Sequence, residues 1–349
     1  MQKLRILLKI IYKNIKLTER LIFNRTVCDN IKNMNRVINN VIVCGIGAVG
    51  SIYADKIRNY VPQTLRILVD EKRLERYTLE PIIFNGRELN FNYILPSAAD
   101  FKADLIIIAT KFDGLNEAVE NIKNFVKEDT IILSLLNGVT SEDIIAQKYG
   151  EDKVLYSYFI GHSAVRTGRY VEHDDYNILV FGAKNGIDKR VIAVKKFLEQ
   201  ANIKYEIPDD IKYSLWRKFM LNISSNQPSA ILNMTFGQMQ KNKKFLLFAQ
   251  NIMTETAQIA KAEGVNNSEN LIKDGFEALS MMCPEGKTSM LQDVEAGRKT
   301  EVDMFAGTVI ELGKKHGIPT PYNQILYEMI QIIHENQNLS KNSECAISV

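Results

Sequence analysis

Short, uninterrupted runs of apolar residues alternate with amphipathic stretches along the first half of the chain. Runs that are apolar throughout, rather than at every second position, are typical of parallel strands buried on both faces. Four of them are predicted to be strands, at 41–44, 65–69, 105–109 and 130–135. The stretches between them, such as 48–60 and 114–126, carry apolar residues at helical spacing. This alternation predicts a doubly wound parallel sheet.

The pattern changes in the second half of the chain. From Val154 to about Ile207 it consists of short strand-like runs, with one helical stretch among them. Pro208 then marks a boundary, after which nearly all apolar residues recur at helical spacing. Three helices are predicted there, over 210–225, over 244–263 and ending at the stop signal GKKHGIPTP. The expected fold is a Rossmann-type α/β domain followed by an all-helical C-terminal domain.

These changes divide the chain into four segments. We expect an N-terminal extension, a dinucleotide-binding Rossmann domain, a helical substrate domain and a tail, at 1–38, 39–207, 208–337 and 338–349. Lysines and arginines interrupt every apolar run of the extension, which argues against a signal-peptide core. Met34 is the expected start, which would leave the preceding residues as a poorly ordered addition. An amphipathic helix that touches a membrane or a partner is the alternative.

Composition narrows the class of protein. Of the 349 residues, 46% are hydrophobic and 24% are charged, values typical of a globular protein with a sizeable core. The net charge of +3 is too small to indicate a nucleic-acid surface. No apolar run reaches the ~18 residues of a membrane span. The four cysteines are scattered without metal-ligand spacing, so we expect no metal site and a reducing, cytoplasmic location.

A glycine-rich loop follows the first predicted strand and opens the first predicted helix. Gly45 permits a tight turn, Gly47 lets the backbone approach a pyrophosphate, and Gly50 lets helix and strand pack closely. The helix N-terminus adds free N–H groups and a positive dipole end. Within a βαβ unit the loop predicts a dinucleotide site, while a glycine turn without a ligand is the alternative. The loop residues assigned to the cofactor are Gly45, Ile46, Gly47, Ala48, Val49 and Gly50.

The end of the second predicted strand bears on the choice between NAD and NADP. Asp70 lies there, twenty residues after Gly50. A carboxylate at this place accepts hydrogen bonds from the ribose 2′-hydroxyl and favours NAD. Lys72 and Arg73 follow at once, and both are able to pair with a 2′-phosphate. These residues alone leave both cofactors open.

A lysine and two asparagines recur at steps of four in the segment LWRKFMLNISSN, as Lys218, Asn222 and Asn226. On a helix this spacing places them on one stripe, about 12 Å long. A solvated face would carry more glutamate and a core face more leucine, so the stripe favours the wall of a polar pocket. A lysine on a wet face, with asparagines as chance neighbours, is the alternative.

The segment KTSMLQDVEAGRKTEVD contains two predicted helix starts. Ser289 with Gln292 has the form of a capping box, and Thr300 with Asp303 is expected to open another helix. Both are structural roles. These roles do not account for Glu301, which lies beside a predicted helix N-terminus. The helix dipole alone would favour an acidic residue there.

Four blocks occur in the order found in one known family. They are GIGAVGS, ATK with LLNGV, LWRKFMLNISSN, and SMLQDVEAGRKTEVD with HGIPTP. Through them the chain resembles the ketopantoate reductase (2-dehydropantoate 2-reductase) family over about residues 39–335. The resemblance implies NADPH-dependent reduction of ketopantoate to pantoate for pantothenate synthesis. The expected partner is a small 2-oxo acid, with neither nucleic acid nor a membrane, and a homodimer is the candidate assembly.

The resemblance also implies roles for single residues. Lys218 resembles the family's general acid. Substrate contacts are implied for Asn222, Asn226 and Ser289. Residues that match the family's surroundings of the nicotinamide are Lys111, Asn137 and Glu301. With NADPH as the implied cofactor, Lys72 and Arg73 become the expected partners of its 2′-phosphate.

The chain departs from the family pattern at three places. Ala306 and Phe236 stand where the family has asparagines, and Gln227 separates Asn226 from the following proline. Each asparagine lost is a hydrogen-bond partner lost for the substrate. Three alternatives therefore stay open: a related reductase of another 2-oxo acid, a dinucleotide-binding regulatory module without turnover, and a dehydrogenase working in the oxidative direction.

Overall fold

The computed structural model describes residues 36–161, 164–173 and 176–347. Apart from 36–38, the expected N-terminal extension lies outside the described residues. The strands are β1 (Val41–Cys44), β2 (Leu65–Leu68), β3 (Ile82–Phe84), β4 (Arg87–Leu89), β5 (Tyr93–Ile94), β6 (Leu105–Ile108), β7 (Ile131–Ser134), β8 (Val154–Gly161), β9 (Ala164–Thr167), β10 (Tyr170–His173), β11 (Asn177–Gly182) and β12 (Tyr205–Glu206).

The helices divide between the two halves of the chain. Five are interspersed with the strands: α1 (Ala48–Tyr60), α2 (Glu71–Leu79), α3 (Leu115–Asn121), α4 (Ser141–Tyr149) and α5 (Lys189–Gln200). The others follow the last strand: α6 (Ile211–Leu232), α7 (Phe236–Lys241), α8 (Lys243–Ala262), α9 (Leu271–Ser280), α10 (Ser289–Glu295), α11 (Thr308–His316) and α12 (Pro321–Ile347). Not one helix in the described ranges has the length and apolarity needed to cross a membrane.

Eight strands form the main sheet, in the order β12-β11-β8-β7-β6-β1-β2-β5. The predicted doubly wound sheet is confirmed, and β1 and α1 have the predicted bounds. One pair, β8 with β11, is antiparallel, so the sheet is mixed, with parallel pairing among its other strands. The order of the strands reverses at β1, which pairs with β2 on one side and β6 on the other. Sheets of this kind bind ligands at such a reversal, beyond the carboxyl ends of the strands.

A second, four-stranded sheet, in the order β4-β3-β10-β9, was not predicted. Its strands have only three or four residues and alternate in burial, so they lack the continuous apolar runs of the main sheet. It joins segments far apart in the chain, since β3 pairs with β10. The β9–β10 hairpin contacts α1, so the small sheet lies near the glycine loop.

Helix α6 is the longest buried helix of the second half. The Asp210 side chain caps its start by accepting a hydrogen bond from the Tyr213 N–H at 2.9 Å. The helix runs to Leu232, past the predicted end at residue 225, and carries Pro228 inside its last turns. This proline removes only the bond to the Ser224 carbonyl, because a helical N–H pairs with the fourth residue before it. Asn233, at φ +52°, ends the helix in the left-handed conformation.

Three expectations near the C-terminus are corrected. Thr288, not Ser289, caps α10, and its hydroxyl accepts from the Leu291 N–H at 3.2 Å. Thr300 opens no helix: its N–H donates to His334 Nε2 at 3.2 Å. A π-helical turn over Asp303–Gly307 follows and leads directly into α11. Finally, α12 continues to Ile347, well past residue 338, where a tail was expected.

Both faces of the main sheet are covered by apolar clusters. On one side Ile42 and Ile106 belong to a cluster that includes Trp216 and Phe219 of α6. The adjacent strand residues Val41 and Val43 belong to the other cluster. Because one cluster contains side chains from both halves of the chain, α6 is held directly against the sheet. The domain boundary at 207/208 stays a prediction, since this core continues across it.

A buried carboxylate holds the start of the last helix. Glu255 of α8 is 7% exposed. Its oxygens accept from the backbone N–H groups of Tyr322 and Asn323, at 2.8 and 3.1 Å, and from the Asn323 side-chain amide at 2.8 Å. An acid here satisfies N–H groups that an isolated helix end would leave unpaired. Glu255 thus fastens α12 to α8.

Candidate active site

A cleft of about 750 Å³ lies where the strand order reverses. Its walls come from the residues directly after β1, β2, β6 and β7, together with parts of β9, α10 and the segment before the π-helical turn. Many of the predicted site residues line it: Gly45, Ile46, Gly47, Ala48, Val49, Arg73, Lys111, Asn137, Ser289 and Glu301. Asp70 lines it as well.

The three glycines of the loop have different surroundings. A Cβ on Gly50 would lie 1.9 Å from the Gly45 carbonyl oxygen, and one on Gly45 would lie 2.8 Å from the Ala109 carbonyl oxygen. Gly45 also has a φ of +92°, which side chains rarely tolerate. A Cβ on Gly47 would meet nothing within 4 Å. Gly45 and Gly50 are therefore required by packing, whereas the space at Gly47 faces the cleft.

The loop and the start of α1 fit a dinucleotide pyrophosphate. Gly47 is the N-cap of α1 and offers no side chain to its first N–H groups, and no acid lies in the first turn. The open N–H groups and the helix dipole therefore face the open space beside Gly47. Such a site attracts an anion and lets it approach the backbone.

Asp70 and Arg73, which follow β2, form an ion pair beside the cleft. Asp70 caps α2 and accepts from the Arg73 backbone N–H and from Arg73 Nη1, both at 2.6 Å. The aspartate charge is thereby matched by a guanidinium that also lines the cleft. The side chains of Arg73 and Lys72 are both exposed, but Lys72 is not among the residues that line the cleft. The structure therefore brings Arg73 to the cleft and leaves Lys72 outside it.

Arg166, on β9, was not predicted to belong to the site. It lines the cleft and donates through Nη1 to the Ile46 carbonyl of the glycine loop. Its guanidinium carbon lies 5.5 Å from the centre of the Tyr77 ring, another cleft residue. No pattern in the sequence indicates this position, because β9 reaches the loop only through the second sheet.

Lys218 lies at the junction of the two halves. Its Nζ donates to Asn137 Oδ1 at 2.9 Å and to the Phe159 carbonyl at 2.7 Å. It also lies 5.1 Å from the centre of the Tyr158 ring, within reach of a cation–π interaction. The Tyr158 hydroxyl hydrogen-bonds Ser214, one turn earlier on α6, at 2.7 Å. The lysine is thus fixed by three groups from the sheet half of the chain.

Asn137 connects the lysine to an acid. Its amide nitrogen donates to Glu301 Oε2 at 3.3 Å while its amide oxygen accepts from Lys218. The structure therefore brings together Lys218, Asn137 and Glu301, which are widely separated in the chain. Lys111 lines the same part of the cleft and acts electrostatically on Glu301.

Burial shifts the pKa values of Lys218 and Glu301, the two residues that Asn137 connects. It lowers the pKa of Lys218 from its usual 10.5 to about 8, although the charges of Glu301 and Glu142 act in the opposite direction. Burial also raises the pKa of Glu301, while the Asn137 hydrogen bond and Lys111 counteract this effect. A lysine with a pKa of about 8 carries a proton at neutral pH and releases it more readily than a free amine.

Asn222 and Asn226 follow Lys218 at one and two turns of α6. Asn226 is 5% exposed, and its backbone carbonyl accepts from the Ser229 hydroxyl at 3.0 Å. Ser229 also hydrogen-bonds Thr288, which directly precedes Ser289. This contact brings the end of the polar stripe next to the start of α10. Neither asparagine is among the residues lining the 750 Å³ cleft.

Two of the three positions that depart from the family pattern, Ala306 and Phe236, have different environments. Ala306 is fully buried in the core among Met304 and Phe305, so it faces no cleft. Phe236 begins α7, and its ring lies close to Gly286, where an added Cβ would be 3.2 Å from Phe236 Cδ2. The Phe236 N–H also donates to the Gly286 carbonyl at 3.0 Å. An aromatic ring therefore covers a glycine three residues before Ser289.

Among the residues that the structure describes, no cluster of side chains is arranged to hold a metal ion. The polar side chains that line the cleft include those of Lys111, Arg73, Arg166, Asn137 and Glu301.

Comparisons with known proteins cover almost all of the described chain. The family model described as ketopantoate reductase PanE/ApbA matches residues 41–186, and its C-terminal counterpart matches residues 210–334. The 2-dehydropantoate 2-reductase of Vibrio cholerae is 25% identical over 307 residues, which are 85% of this chain and 98% of that protein. The Pyrococcus horikoshii enzyme of the same name is 26% identical over 294 residues, 83% of this chain and 96% of that protein.

Solved structures show the same fold. A D-mandelate dehydrogenase bound to NADH and anilino(oxo)acetate has a TM-score of 0.74 at 24% identity, covering 86% of this chain and 99% of its own. A dimeric ketopantoate reductase from Staphylococcus aureus has a TM-score of 0.69 at 21% identity, covering 85% and 99%. At these identities the structural likeness concerns the fold alone.

Proposed function

The chain belongs to the ketopantoate reductase family, and on that premise we propose that it reduces 2-dehydropantoate to pantoate with NADPH in pantothenate biosynthesis. Family membership supports an oxidoreductase activity. The observation that carries the finer proposal is Lys218, a half-buried amine fixed by Asn137 and Phe159 beside a cleft that fits a dinucleotide.

In the proposed reaction NADPH supplies the hydride to the keto carbon of the substrate. As that carbon is reduced, negative charge develops on the keto oxygen. The Lys218 ammonium stabilises this charge and then delivers its proton to the oxygen. Asn137 keeps the ammonium in place through its amide oxygen, so the donor does not have to be ordered during the reaction.

We assign the substrate to the region between Lys218 and Ser289. Asn222 and Asn226 would bind its carboxylate and hydroxyl groups through neutral amides, which hold polar groups without adding negative charge. Ser289, which lines the cleft at the start of α10, would contribute a hydroxyl from the opposite side. Glu301 would stay at the cofactor end, joined to the proton donor only through Asn137.

We propose NADPH as the preferred cofactor because Asp70, the residue that would favour NAD, is already paired with Arg73. The guanidinium of Arg73 is able to turn to a 2′-phosphate, which Asp70 alone would repel. A homodimer and a cytoplasmic location complete the proposal. The dimer is supported by the Staphylococcus aureus relative.

The direct test is a set of steady-state rates for the purified protein with NADPH and NADH, against 2-dehydropantoate and several other 2-oxo acids. The proposal expects the highest kcat/KM for 2-dehydropantoate with NADPH. Tight binding of NADPH without its oxidation by any oxo acid would contradict it and would favour a regulatory module.

A reductase of a 2-oxo acid with an apolar side chain is the second candidate. Phe236, whose ring lies against Gly286, three residues before Ser289 in the chain, favours it, because an aromatic ring offers no hydrogen bond to a hydroxyl group. The D-mandelate dehydrogenase of the same fold acts on an aromatic hydroxy acid, as its name states. Under this candidate, phenylglyoxylate or a branched 2-oxo acid is turned over faster than 2-dehydropantoate, and Phe236→Asn reverses that preference.

A further inference from the structure

A buried carboxylate behind the proposed proton donor has no role so far. We propose that Glu142 is a positioning residue for Lys218: it fixes the two groups that hold the lysine, and its negative charge favours the ammonium form. This inference rests on the proposed role of Lys218 as the acid. Glu142 is 1% exposed and lies in the first turn of α4, outside the cleft itself.

Glu142 is part of a closed ring of hydrogen bonds. The Ser134 hydroxyl donates to Ser141, and the Ser141 hydroxyl donates to Glu142 Oε2, both at 2.8 Å. The Ser157 N–H donates to Glu142 Oε1 at 3.3 Å, and the Ser157 hydroxyl returns to the Ser134 carbonyl at 2.7 Å. All four residues are at most 3% exposed. The ring therefore ties the end of β7, the start of α4 and the middle of β8 together through direct hydrogen bonds.

Both acceptors of the lysine are attached to this ring. Asn137 lies in the loop that joins Ser134 to Ser141, and Phe159 lies two residues beyond Ser157 on β8. Their oxygens hold Lys218 Nζ at 2.9 and 2.7 Å. We expect a change at Glu142 to loosen the contact between α4 and β8, and with it the separation of the two oxygens, although the Ser157 hydroxyl would still bind the Ser134 carbonyl. Glu142 thus acts on Lys218 through its acceptors.

The carboxylate has only neutral donors around it. Its pKa is raised to about 7 by burial, and the Ser141 hydroxyl and the Ser157 N–H counteract this effect. Asp143, its neighbour on α4, raises the pKa further. Glu142 also lines a small cavity whose charged residues are Glu151, Asp152, Lys184, Asp188 and Arg190. Lys218 is faced by Glu142 from α4, by Glu301 from the segment before the π-helical turn and by the Tyr158 ring from β8. Of these groups, the two acids favour its ammonium form.

The test is the pH profile of kcat/KM in Glu142→Gln, measured with NADPH and the best 2-oxo acid. Glutamine retains an oxygen for the Ser157 N–H but removes the charge. The alkaline limb is expected to move to lower pH by roughly half a unit or more, with the affinity for NADPH unchanged. Asp143→Asn is the matched control, since it removes an exposed charge one residue away, and its limb should coincide with that of the wild type.

A second variant and a second readout cover the case in which Glu142→Gln folds poorly. Ser141→Ala removes one donor to the carboxylate, and a smaller shift in the same direction is expected. The Lys218 amine is also titrated directly, from the Cε chemical shift in protein with ¹³C-labelled lysine, with Lys218→Arg giving the assignment. This readout works even if no oxo acid is turned over, so it separates failure of this inference from failure of the proposed function.

Two results would overturn the inference. One is an unmoved alkaline limb and an unmoved Lys218 titration in folded Glu142→Gln and Ser141→Ala. The other is a uniform loss of thermal stability and rate at every pH, without any shift of the limb, which would make Glu142 a purely structural residue.

Discussion

At the scale of single residues, the proposed chemistry depends on how one amine is held. Lys218 has two oxygen acceptors and an aromatic ring around it, all from the sheet half of the chain. These contacts order the side chain, and burial brings its pKa to about 8. A solvated lysine would keep its proton too firmly to be an efficient acid near neutral pH.

Lys218→Ala is therefore expected to lower kcat by about 10²–10⁴-fold, with the dissociation constant of NADPH nearly unchanged. In the wild type, activity should fall above about pH 8, because the deprotonated amine cannot act as the acid. The remaining activity of the variant should lack this fall. The measurement is a pH series of steady-state rates together with a fluorescence titration of NADPH.

Lys212→Ala is the matched control, since Lys212 lies on the same helix and donates instead to the Glu263 carbonyl. It should keep nearly all of the activity. A near-normal rate in Lys218→Ala, or an alkaline limb that persists there, would move the proton-donor role to another residue, with Lys111 as the next candidate.

Arg73 and Lys72 offer a matched pair at the other end of the cleft. Arg73→Ala should raise the dissociation constant of NADPH about tenfold or more, equivalent to about 1.4 kcal/mol, because a phosphate loses its guanidinium and meets Asp70 alone. Binding of NADH should be unchanged or tighter. Lys72→Ala should leave both constants unchanged, since Lys72 does not line the cleft. Equal weakening of both cofactors by Arg73→Ala would contradict the assignment.

Residue types and spacing indicated much of this site. The glycine loop, the Lys218 stripe and Asp70 were recognisable because each needs a particular chemistry at a particular spacing. Lys72 was assigned with Arg73, yet only Arg73 turns towards the cleft. Arg166, Tyr158 and Glu142 had no such signal, because their importance depends on contacts between strands distant in the chain.

At the scale of elements, the glycines between β1 and α1 have two different roles, one in folding and one in cofactor binding. Gly50 packs against the Gly45 carbonyl, while Gly47 faces open space. Gly47→Val should fold, with a loss of about 1 kcal/mol for an unfavourable N-cap, and should fail to bind NADPH. Gly50→Ala should lose more stability than that, by overpacking against the backbone. Thermal unfolding with and without NADPH measures both effects.

Unchanged NADPH affinity in Gly47→Val would show that the pyrophosphate does not lie against this residue. A Gly50→Ala variant as stable as the wild type would mean that the close approach of α1 to β1 is not required for folding.

The contact between α8 and α12 gives a prediction about stability. Glu255→Gln should lower the free energy of unfolding by about 1–3 kcal/mol. Tyr322 and Asn323 donate to different oxygens of Glu255, so the NH₂ of a glutamine would face one of these two N–H groups and leave it without an acceptor. Gln258→Ala, an exposed change one turn away on α8, should cost less than about 0.5 kcal/mol. Denaturant unfolding compares them, and equal midpoints would show that Glu255 does not stabilise the start of α12.

The strands and helices with the clearest apolar patterns were the ones that the sequence predicted. Strands β1, β2, β6 and β7 were predicted because they are apolar throughout, which follows from burial on both faces. The second sheet was missed because its short strands are half exposed. The end of α6 was placed too early, since Pro228 is normally a helix-ending signal. Here the buried surface of α6 outweighs the single hydrogen bond that Pro228 removes.

At the scale of the whole molecule, the recognised fold begins at β1. The family model starts at residue 41, and 85% of this chain is enough to span 98% of the Vibrio cholerae relative. Deletion of residues 1–33 should therefore leave kcat/KM unchanged within about twofold. The free energy of unfolding should stay within about 0.5 kcal/mol of that of the full chain. A large loss of folded, active protein on deletion would show that the extension contributes to the fold or to its placement in the cell.

The surroundings of Lys218 have a consequence for the timing of the catalytic cycle. An acid that gives its proton to the product is left as a neutral amine and must be reloaded before it works again. Asn137, Phe159 and Tyr158 cover this amine on the sheet side. If Lys218 is the acid, as proposed, we expect a new proton to reach it from the side on which the substrate binds, and therefore only after the product has left.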